Sequence, residues 1–88
     1  MNQLTAIRAF ARVVEAGSFT RAADSLDMPT TSLSKLVREL ETHLGVRLLQ
    51  RTTRRVSVTA EGQAYYEKAG RLLRDLEDVD ASFSAARG

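Results

Sequence analysis

Two helices are predicted in the first third of the chain from the spacing of its apolar residues. Over about 2–15, one apolar stripe repeats at helical spacing and is formed by Leu4, Ile7, Phe10 (or Ala11) and Val14. Gly17 is a typical helix stop and Ser18 a typical N-cap, so a second, shorter helix is expected over 18–26. The segment Asp27-Met28-Pro29 then breaks the pattern, because proline interrupts a helix and restricts the residue before it.

A third helix is predicted over about 30–44, with Gly45 as its stop. At about 100° per residue its apolar residues share one side, and these are Leu33, Val37, Leu40 and Leu44. The opposite side carries small hydroxyl groups and two cations, at Thr31, Lys35, Arg38 and Thr42. A solvated helix of this length more often mixes both signs of charge on its outer side. The one-sided basic face therefore indicates a binding surface.

Two short strands and a long helix are expected after residue 45. Strands are predicted over 46–50 and 55–58, with Arg51-Thr52-Thr53-Arg54 as the turn between them. Thr59 is expected to cap the last helix, whose first turn holds Glu61 where the helix dipole favours a negative charge.

The last helix carries apolar residues at alternating steps of four and three. They are Tyr65, Ala69, Leu72, Leu76, Val79, Phe83 and Ala86. Such a strict heptad pattern predicts a coiled-coil seam against a second chain. Tyr66 and Leu73 lie beside the seam and are expected to pack against the chain's own domain.

The predicted fold is mainly α. It is a winged helix-turn-helix of three helices and a short β-hairpin wing over 1–58, followed by a long dimerising linker helix over 59–88. Charge divides at the same boundary, since residues 1–58 carry nine Lys/Arg against five Asp/Glu, whereas residues 59–88 carry four against six. The basic part is thus the part whose pattern is typical of a DNA reader.

Composition disfavours several other classes of function. The chain has no cysteine, and His43 is its only histidine, so no cysteine-ligated metal site or Ser–His relay is expected. A Gly-rich phosphate loop is also missing, and we expect neither an enzyme nor a cofactor or metal. No apolar run approaches the roughly twenty residues of a membrane span, and residues 1–4 do not resemble a signal peptide. No membrane association is expected, and a cytoplasmic location is predicted.

Binding to double-stranded DNA would divide the polar residues into three groups. Base contacts in the major groove are expected from the first turns of the third helix, at Thr30, Thr31, Ser34 and Lys35. Phosphate contacts are expected from Ser18, Thr20, Arg21, Arg38, Arg51 and Thr53. Arg54 at the tip of the wing is expected in the minor groove.

Each group also has a purely structural interpretation. The hydroxyl groups at 30–34 could only cap the third helix, Lys35 and Arg38 could be solvated charges, and the arginines at 51, 54 and 55 could form a solubilising turn. The heptad helix could fold back on its own domain. For the whole chain, two rival functions stay open: a winged-helix adaptor for protein–protein interaction, and a non-specific architectural DNA binder.

The order and spacing of these residues resemble the N-terminal DNA-binding domain of LysR-type bacterial transcriptional regulators. The stretches that carry the resemblance are Val14-Glu15-Ala16-Gly17-Ser18-Phe19-Thr20-Arg21-Ala22-Ala23, Leu33-Ser34-Lys35, Leu40-Glu41, Leu44-Gly45-Val46-Arg47-Leu48-Leu49, Arg51-Thr52-Thr53-Arg54 and Thr59-Ala60-Glu61-Gly62. The resemblance implies a sequence-specific regulator that binds an inverted-repeat operator as a homodimer through its last helix. It also implies a small-molecule effector that binds a further domain absent from this chain.

The resemblance carries residue roles as well. It implies that Ser34 and Lys35 occupy positions where the family has Ser and frequently Arg, and that Arg54 is the wing arginine of the minor groove. Thr30 stands where the family often has a base-reading Gln, and Thr31 where Pro is common. Because threonine is too short for a bidentate contact with adenine, readout is expected to depend on Lys35, water and DNA shape.

Overall fold

Four helices and one antiparallel hairpin make up the part of the chain that the structure describes. In this computed structural model, residues 1–51 and 56–87 are described, with 85–87 described by their backbone alone. The elements are α1 (Gln3–Ala16), α2 (Phe19–Ser25), α3 (Thr30–Leu44), β1 (Leu49–Arg51), β2 (Val56–Val58) and α4 (Ala60–Arg87). This order confirms the predicted mainly α fold. The predicted wing-tip contacts of Thr53 and Arg54 lie outside the described residues.

Local hydrogen bonds define both ends of α2 and the turn that leads from it to α3. Ser18 Oγ accepts the Arg21 N–H at 3.3 Å and caps α2, as predicted. At the other end, Asp27 adopts a left-handed conformation with a φ of 55°, and the Met28 N–H donates to the Ala23 carbonyl at 3.0 Å. This is a Schellman motif, in which a left-handed residue lets the following amides reach back to the last turn. The chain can therefore leave α2 and begin α3 within four residues.

The core lies between α1, α2 and α3 and is closed by the base of the hairpin. Its largest fully buried side chains are Phe10, Val13, Leu33, Val37, Leu40, Leu48 and Leu49. The predicted inner side of α3 is thus confirmed, with Leu44 half-buried at its end.

The predicted stripe on α1 is wrong at Leu4, which is 47% exposed. α1 packs against α2, α3 and α4, so its buried side is broad and includes Ala6, Ala9 and Val13. At 100° per residue, Leu4 lies only about 20° from buried Ala11, so it is exposed because it stands in the first turn of α1 and not because it lies on another side.

The hairpin begins later than predicted. β1 begins at Leu49 rather than at residue 46, and its register pairs Leu49 with Val58. Because the chain turns into α4 just beyond Val58, residues 46–48 have no partner strand in the described chain. Instead, the Leu48 N–H donates to the Glu41 side chain and the Leu48 carbonyl accepts the Thr59 N–H at 3.0 Å.

α4 packs across α1 with its first half. The ring of Phe10 faces Tyr65 and Tyr66, with centroid distances of 6.0 Å and 6.5 Å. The Tyr66 hydroxyl donates to Glu15 Oε2 at 3.1 Å. Leu73 is buried in the same core. The prediction that Tyr66 and Leu73 pack against the domain is therefore confirmed.

This packing corrects the first two positions of the predicted seam. Ala69 is 4% exposed and Tyr65 is half-buried against the chain itself, because α4 still lies on α1 at this point. Farther along, Leu76 is half-buried, whereas three apolar side chains are exposed: Leu72 (66%), Val79 (52%) and Phe83 (71%). The first half of α4 thus packs against the chain's own domain, whereas the second half exposes an apolar face.

The first turn of α4 rests directly on the base of the hairpin. Thr59 Oγ1 accepts the Gly62 N–H at 2.9 Å, as predicted for a cap, and donates to the Arg47 carbonyl at 2.6 Å. Gly62 is buried, and a Cβ at this position would collide with the Leu48 carbonyl oxygen and lie 2.9 Å from Val58 Cγ1. Glycine is therefore required for the two backbones to come this close.

Gly62→Ala is expected to lower the free energy of unfolding by about 3 kcal/mol, because the added methyl group overpacks this backbone contact. Gly70 on the same helix offers a matched control, since a Cβ there would meet the end of the Arg74 side chain at an ordinary 3.5 Å. Gly70→Ala is expected to stabilise the protein by about 0.5–1 kcal/mol through helix propensity. Thermal unfolding followed by circular dichroism at one protomer concentration compares the stability of the two variants. Equal changes in stability for Gly62→Ala and Gly70→Ala would contradict the close backbone contact at Gly62.

A second prediction concerns the hydrogen bond that anchors α4 to α1. Burial raises the pKa of Tyr66, and so do the hydrogen bond to Glu15 and the charge of that carboxylate. The folded state therefore keeps its phenol proton to a higher pH than the unfolded chain does. Stability from this group is complete below the ordinary tyrosine pKa of about 10 and is lost as the pH rises above it.

Tyr66→Phe should consequently flatten the fall in stability above that pH, as measured by urea unfolding over a pH series. Glu15→Gln, which keeps an acceptor but removes the charge, should flatten it partly. An unchanged pH dependence in Tyr66→Phe would show that another group causes the alkaline loss.

Candidate nucleic-acid interface

α3 turns one polar side to the solvent. The residues predicted to point outward are exposed, and these are Thr31, Lys35, Arg38 and Thr42. Thr30 is exposed as well, whereas Ser34 is half-buried. The burial pattern of α3 is therefore confirmed on both sides.

This outer side borders an open groove with a volume of 730 Å³. Its lining comprises Met1, Thr31, Ser34, Lys35, Arg38, Glu39, Thr42 and His43. Lys35 and Arg38 form no ion pair within the described residues, and Glu39 is half-buried. Met1 was not predicted here, because no spacing rule along the chain places the residue before α1 beside α3. The groove offers positive charge and hydroxyl donors, which suit a polyanion.

The hydroxyl groups at the start of α3 do not cap the helix. Pro29 is the N-cap, and within the described residues no side chain accepts a hydrogen bond at this end. The first intrahelical bond runs from the Leu33 N–H to the Pro29 carbonyl at 3.1 Å. The interpretation that Thr30 and Thr31 serve only as caps is therefore wrong.

The start of α2 presents the second predicted group. Thr20 and Arg21 are exposed. Ser18 is half-buried, and its oxygen already accepts the Arg21 N–H, which leaves the hydroxyl hydrogen as a donor. Thr20 and Arg21 thus face solvent, whereas Ser18 caps α2 and still has one hydroxyl hydrogen to donate.

Arg51 does not point outward with these residues. Its guanidinium group lies over the Phe19 ring, 5.1 Å from the centroid, and Nη2 lies 3.7 Å from Glu41 Oε1. The Arg51 side chain is only 23% exposed. The Arg51 side chain thus joins β1 to α2 and α3, and its direct phosphate contact stays a prediction.

Glu41 holds the other side of this junction. Its Oε2 accepts the N–H groups of Leu48 and Leu49 at 2.8 Å and 3.1 Å. Hydrogen bonds to a charged group contribute about 1.5–3 kcal/mol each, so the two together form a substantial link between α3 and β1. Sequence reasoning missed this role, because the carboxylate acts on amides seven and eight residues later through a tertiary contact.

The charges around Arg51 lie close together. Burial is the largest cause that lowers the pKa of Arg51, while Glu41 raises it and Arg38 and Arg47 lower it further. Arginine stays protonated in proteins despite such shifts. Three guanidinium groups therefore share this corner of the molecule with one carboxylate.

A second concavity, with a volume of 570 Å³, lies between α3 and β1. We call it the arginine niche, and it is lined by Arg38, Glu41, Thr42, Gly45, Val46, Arg47 and Arg51. Arg47 is exposed and was not among the predicted contacts, because residues 46–50 were assigned to a strand. Its position two residues after the helix stop at Gly45 was the available signal.

Comparison with known proteins places this arrangement in a family. The profile of the family described as "Bacterial regulatory helix-turn-helix protein, lysR family" matches residues 4–63. An HTH-type transcriptional repressor of Pseudomonas aeruginosa (strain UCBPP-PA14) is 51% identical over 82 residues, which are 93% of this chain and 26% of that protein. The chain thus spans about a quarter of the length of this curated relative.

Solved structures give the same result. The BenM DNA-binding domain in complex with benA site 1 DNA is 36% identical with a TM-score of 0.87, and the match covers 97% of this chain and 96% of that one. The CbnR DNA-binding domain in a DNA complex is 32% identical with a TM-score of 0.86, and the match covers 97% and 98%.

In the described part of the chain, no helix combines the length and apolar character that crossing a membrane requires. The relatives are named as transcriptional regulators rather than enzymes. Profile, relatives and fold agree, and the chain therefore belongs to the LysR family of bacterial regulatory helix-turn-helix proteins.

Proposed function

We propose that this chain is the sequence-specific DNA-binding part of a bacterial transcriptional regulator, acting in the cytoplasm. It reads an inverted-repeat operator as a homodimer, with α3 in the major groove and the wing in the adjacent minor groove. The observation that carries the proposal is the outer side of α3, which exposes Lys35 and Arg38 among threonines while its opposite side is buried. The two related domains solved in DNA complexes support it.

Base contacts fall to the first turns of α3. A major groove about 12 Å wide admits one helix, and a helix-turn-helix presents the N-terminal residues of its second helix to the base edges. Thr30, Thr31 and Lys35 are exposed at this end, and half-buried Ser34 lies beside them. Lys35 is the one long donor of the four, so it is assigned the acceptors of guanine.

Phosphate contacts hold the helix in the groove. Thr20 and Arg21 at the start of α2 and Arg38 on α3 are exposed, and the Ser18 hydroxyl retains its donor. Arg54, which was assigned from the sequence, is proposed to enter the minor groove, where narrowing strengthens the negative potential. These contacts set the register of the protein on DNA and carry no base preference of their own.

A second copy of the chain is the proposed partner of α4. Leu72, Val79 and Phe83 are largely exposed and lie on one side of the helix with Leu76, at steps of four, three and four. Pairing of two such helices removes this apolar surface from water, and a two-fold dimer reads a two-fold operator. The effector that regulates the intact protein is assigned to a domain beyond this chain.

In vitro selection from a random double-stranded DNA pool at near-physiological salt tests the central claim. The parent chain is expected to enrich an inverted repeat of two half-sites. Lys35→Ala should relax the preference at one base pair of each half-site by about 1–3 kcal/mol, because a base contact is lost. Lys68→Ala makes the same change at an exposed position of α4 and should return the parent's sequence.

The alternative functions give different outcomes in this experiment. Retention of DNA without enrichment would identify an architectural binder. No retained DNA at all would reject the proposal in favour of a protein-interaction adaptor. Equal relaxation in the Lys35 and Lys68 variants would remove Lys35 from the base contacts.

The dimer is tested with a charge placed on the exposed seam. Val79→Asp is expected to dissociate the dimer, because a carboxylate would be buried between two apolar helices. Ala81→Asp adds the same charge at an exposed position about 180° from Leu72 around α4 and should leave the dimer intact. Light scattering at micromolar protomer concentration reports the mass, and a dimeric Val79→Asp variant would disprove the seam.

A further inference from the structure

The arginine niche occupies a defined place in the proposed complex. A helix in the major groove and a wing in the neighbouring minor groove stand on either side of one sugar–phosphate strand. That strand must therefore cross the gap between α3 and the hairpin. The niche opens in this gap, since its lining comes from α3, from the loop after it and from β1.

The niche has more positive charge than its own carboxylate can neutralise. Arg38, Arg47 and Arg51 line it together with a single acid, Glu41. Glu41 is already occupied, because Oε2 accepts two backbone N–H groups and Oε1 faces Arg51 at 3.7 Å. Arg38 and Arg47 form no ion pair within the described residues. The sequence of residues 52–55, which follow Arg51, contains no acid.

Arg51 adds an independent sign that charge is unsatisfied here. Its Nε and Nη2 atoms are buried and find no hydrogen-bond acceptor among the described residues, since the Glu41 oxygen at 3.7 Å is too distant for a hydrogen bond. The stacked position over Phe19 prevents this side chain from reaching far into solvent. Arg51 therefore acts as a fixed positive charge in the wall of the arginine niche. Arg38 and Arg47 are exposed and can reach a ligand.

We propose that the arginine niche binds one phosphodiester group of the DNA strand that separates the two grooves, with Arg47 as a direct contact beside Arg38. A guanidinium group presents its donors in a planar fork that matches the oxygens of a phosphate. The Thr42 hydroxyl lies in the same lining and offers a further donor. The contact adds affinity and fixes the angle between α3 and the wing, and it carries no base preference.

The inference rests on the proposed DNA binding, so its test begins with a duplex that the parent chain has selected. Arg47→Ala is expected to keep the base preference and to lower the slope of log affinity against log salt by about 0.9 per protomer. Arg47→Lys should restore most of that slope because it restores the charge. Phosphate-ethylation interference should lose one sensitive phosphate per half-site in Arg47→Ala, on the strand between the grooves.

Arg8→Ala is the matched control, because Arg8 is an exposed arginine of α1 that lines a separate concavity with Glu15, Leu73 and Glu77. It should retain the parent's slope and ethylation pattern. A parent that binds no duplex would overturn the proposed function itself. If the parent binds DNA and Arg47→Ala keeps both its salt slope and every sensitive phosphate, the proposed phosphate contact at the niche is overturned while the proposed function stands. An equal loss of slope in Arg8→Ala would also overturn the contact at the niche.

Discussion

The hairpin is held to the helix-turn-helix by the Glu41 carboxylate. One oxygen receives two consecutive amides at the start of the hairpin, and the other faces a guanidinium group that is stacked on the first residue of α2. α2, α3 and β1 are thereby joined at one point. With the carboxylate 14% exposed and the guanidinium 23%, the ion pair is shielded from much of the screening that weakens surface pairs. Loss of the acid would leave a buried arginine and two amides without a partner, which is costly.

α4 performs two tasks along its length. Its first turns complete the core, since Tyr65, Tyr66, Ala69 and Leu73 pack on α1. Its later turns leave the domain and expose Leu72, Val79 and Phe83. Because one continuous helix contains both parts, a partner bound to the second part is held in a fixed direction relative to the first. In the proposed dimer, this keeps the two copies of α3 at the spacing that an operator demands.

The parts of the fold that could be predicted are those set by neighbouring residues. The caps at Ser18 and Thr59, the stops at Gly17 and Gly45, and the two sides of α3 follow from spacing and from local hydrogen bonding. The exposure of Lys35 and Arg38 on α3 follows from the same periodicity.

The parts that failed depend on contacts between distant residues. Leu4 is exposed and Ala69 is buried because tertiary packing, rather than helical spacing alone, decides which residues of a helix are covered. Arg51 resembles any other cation of a basic turn until Phe19 and Glu41 are brought beside it. Arg47 was missed for the same reason, since its importance lies in its distance to two other arginines and not in its place along the chain.

The contact at Gly62 has a mechanical consequence. The backbone of α4 lies against the backbone of the hairpin at Leu48, with no side chain of its own between them to change rotamer and absorb a displacement. Thr59 strengthens the same contact, because its hydroxyl donates to the carbonyl of Arg47 and accepts the N–H of Gly62. A tilt of α4 would therefore be passed to β1 as a movement of the whole strand. In the proposed dimer, a movement of α4 in one protomer therefore also moves the hairpin that is proposed to enter the minor groove.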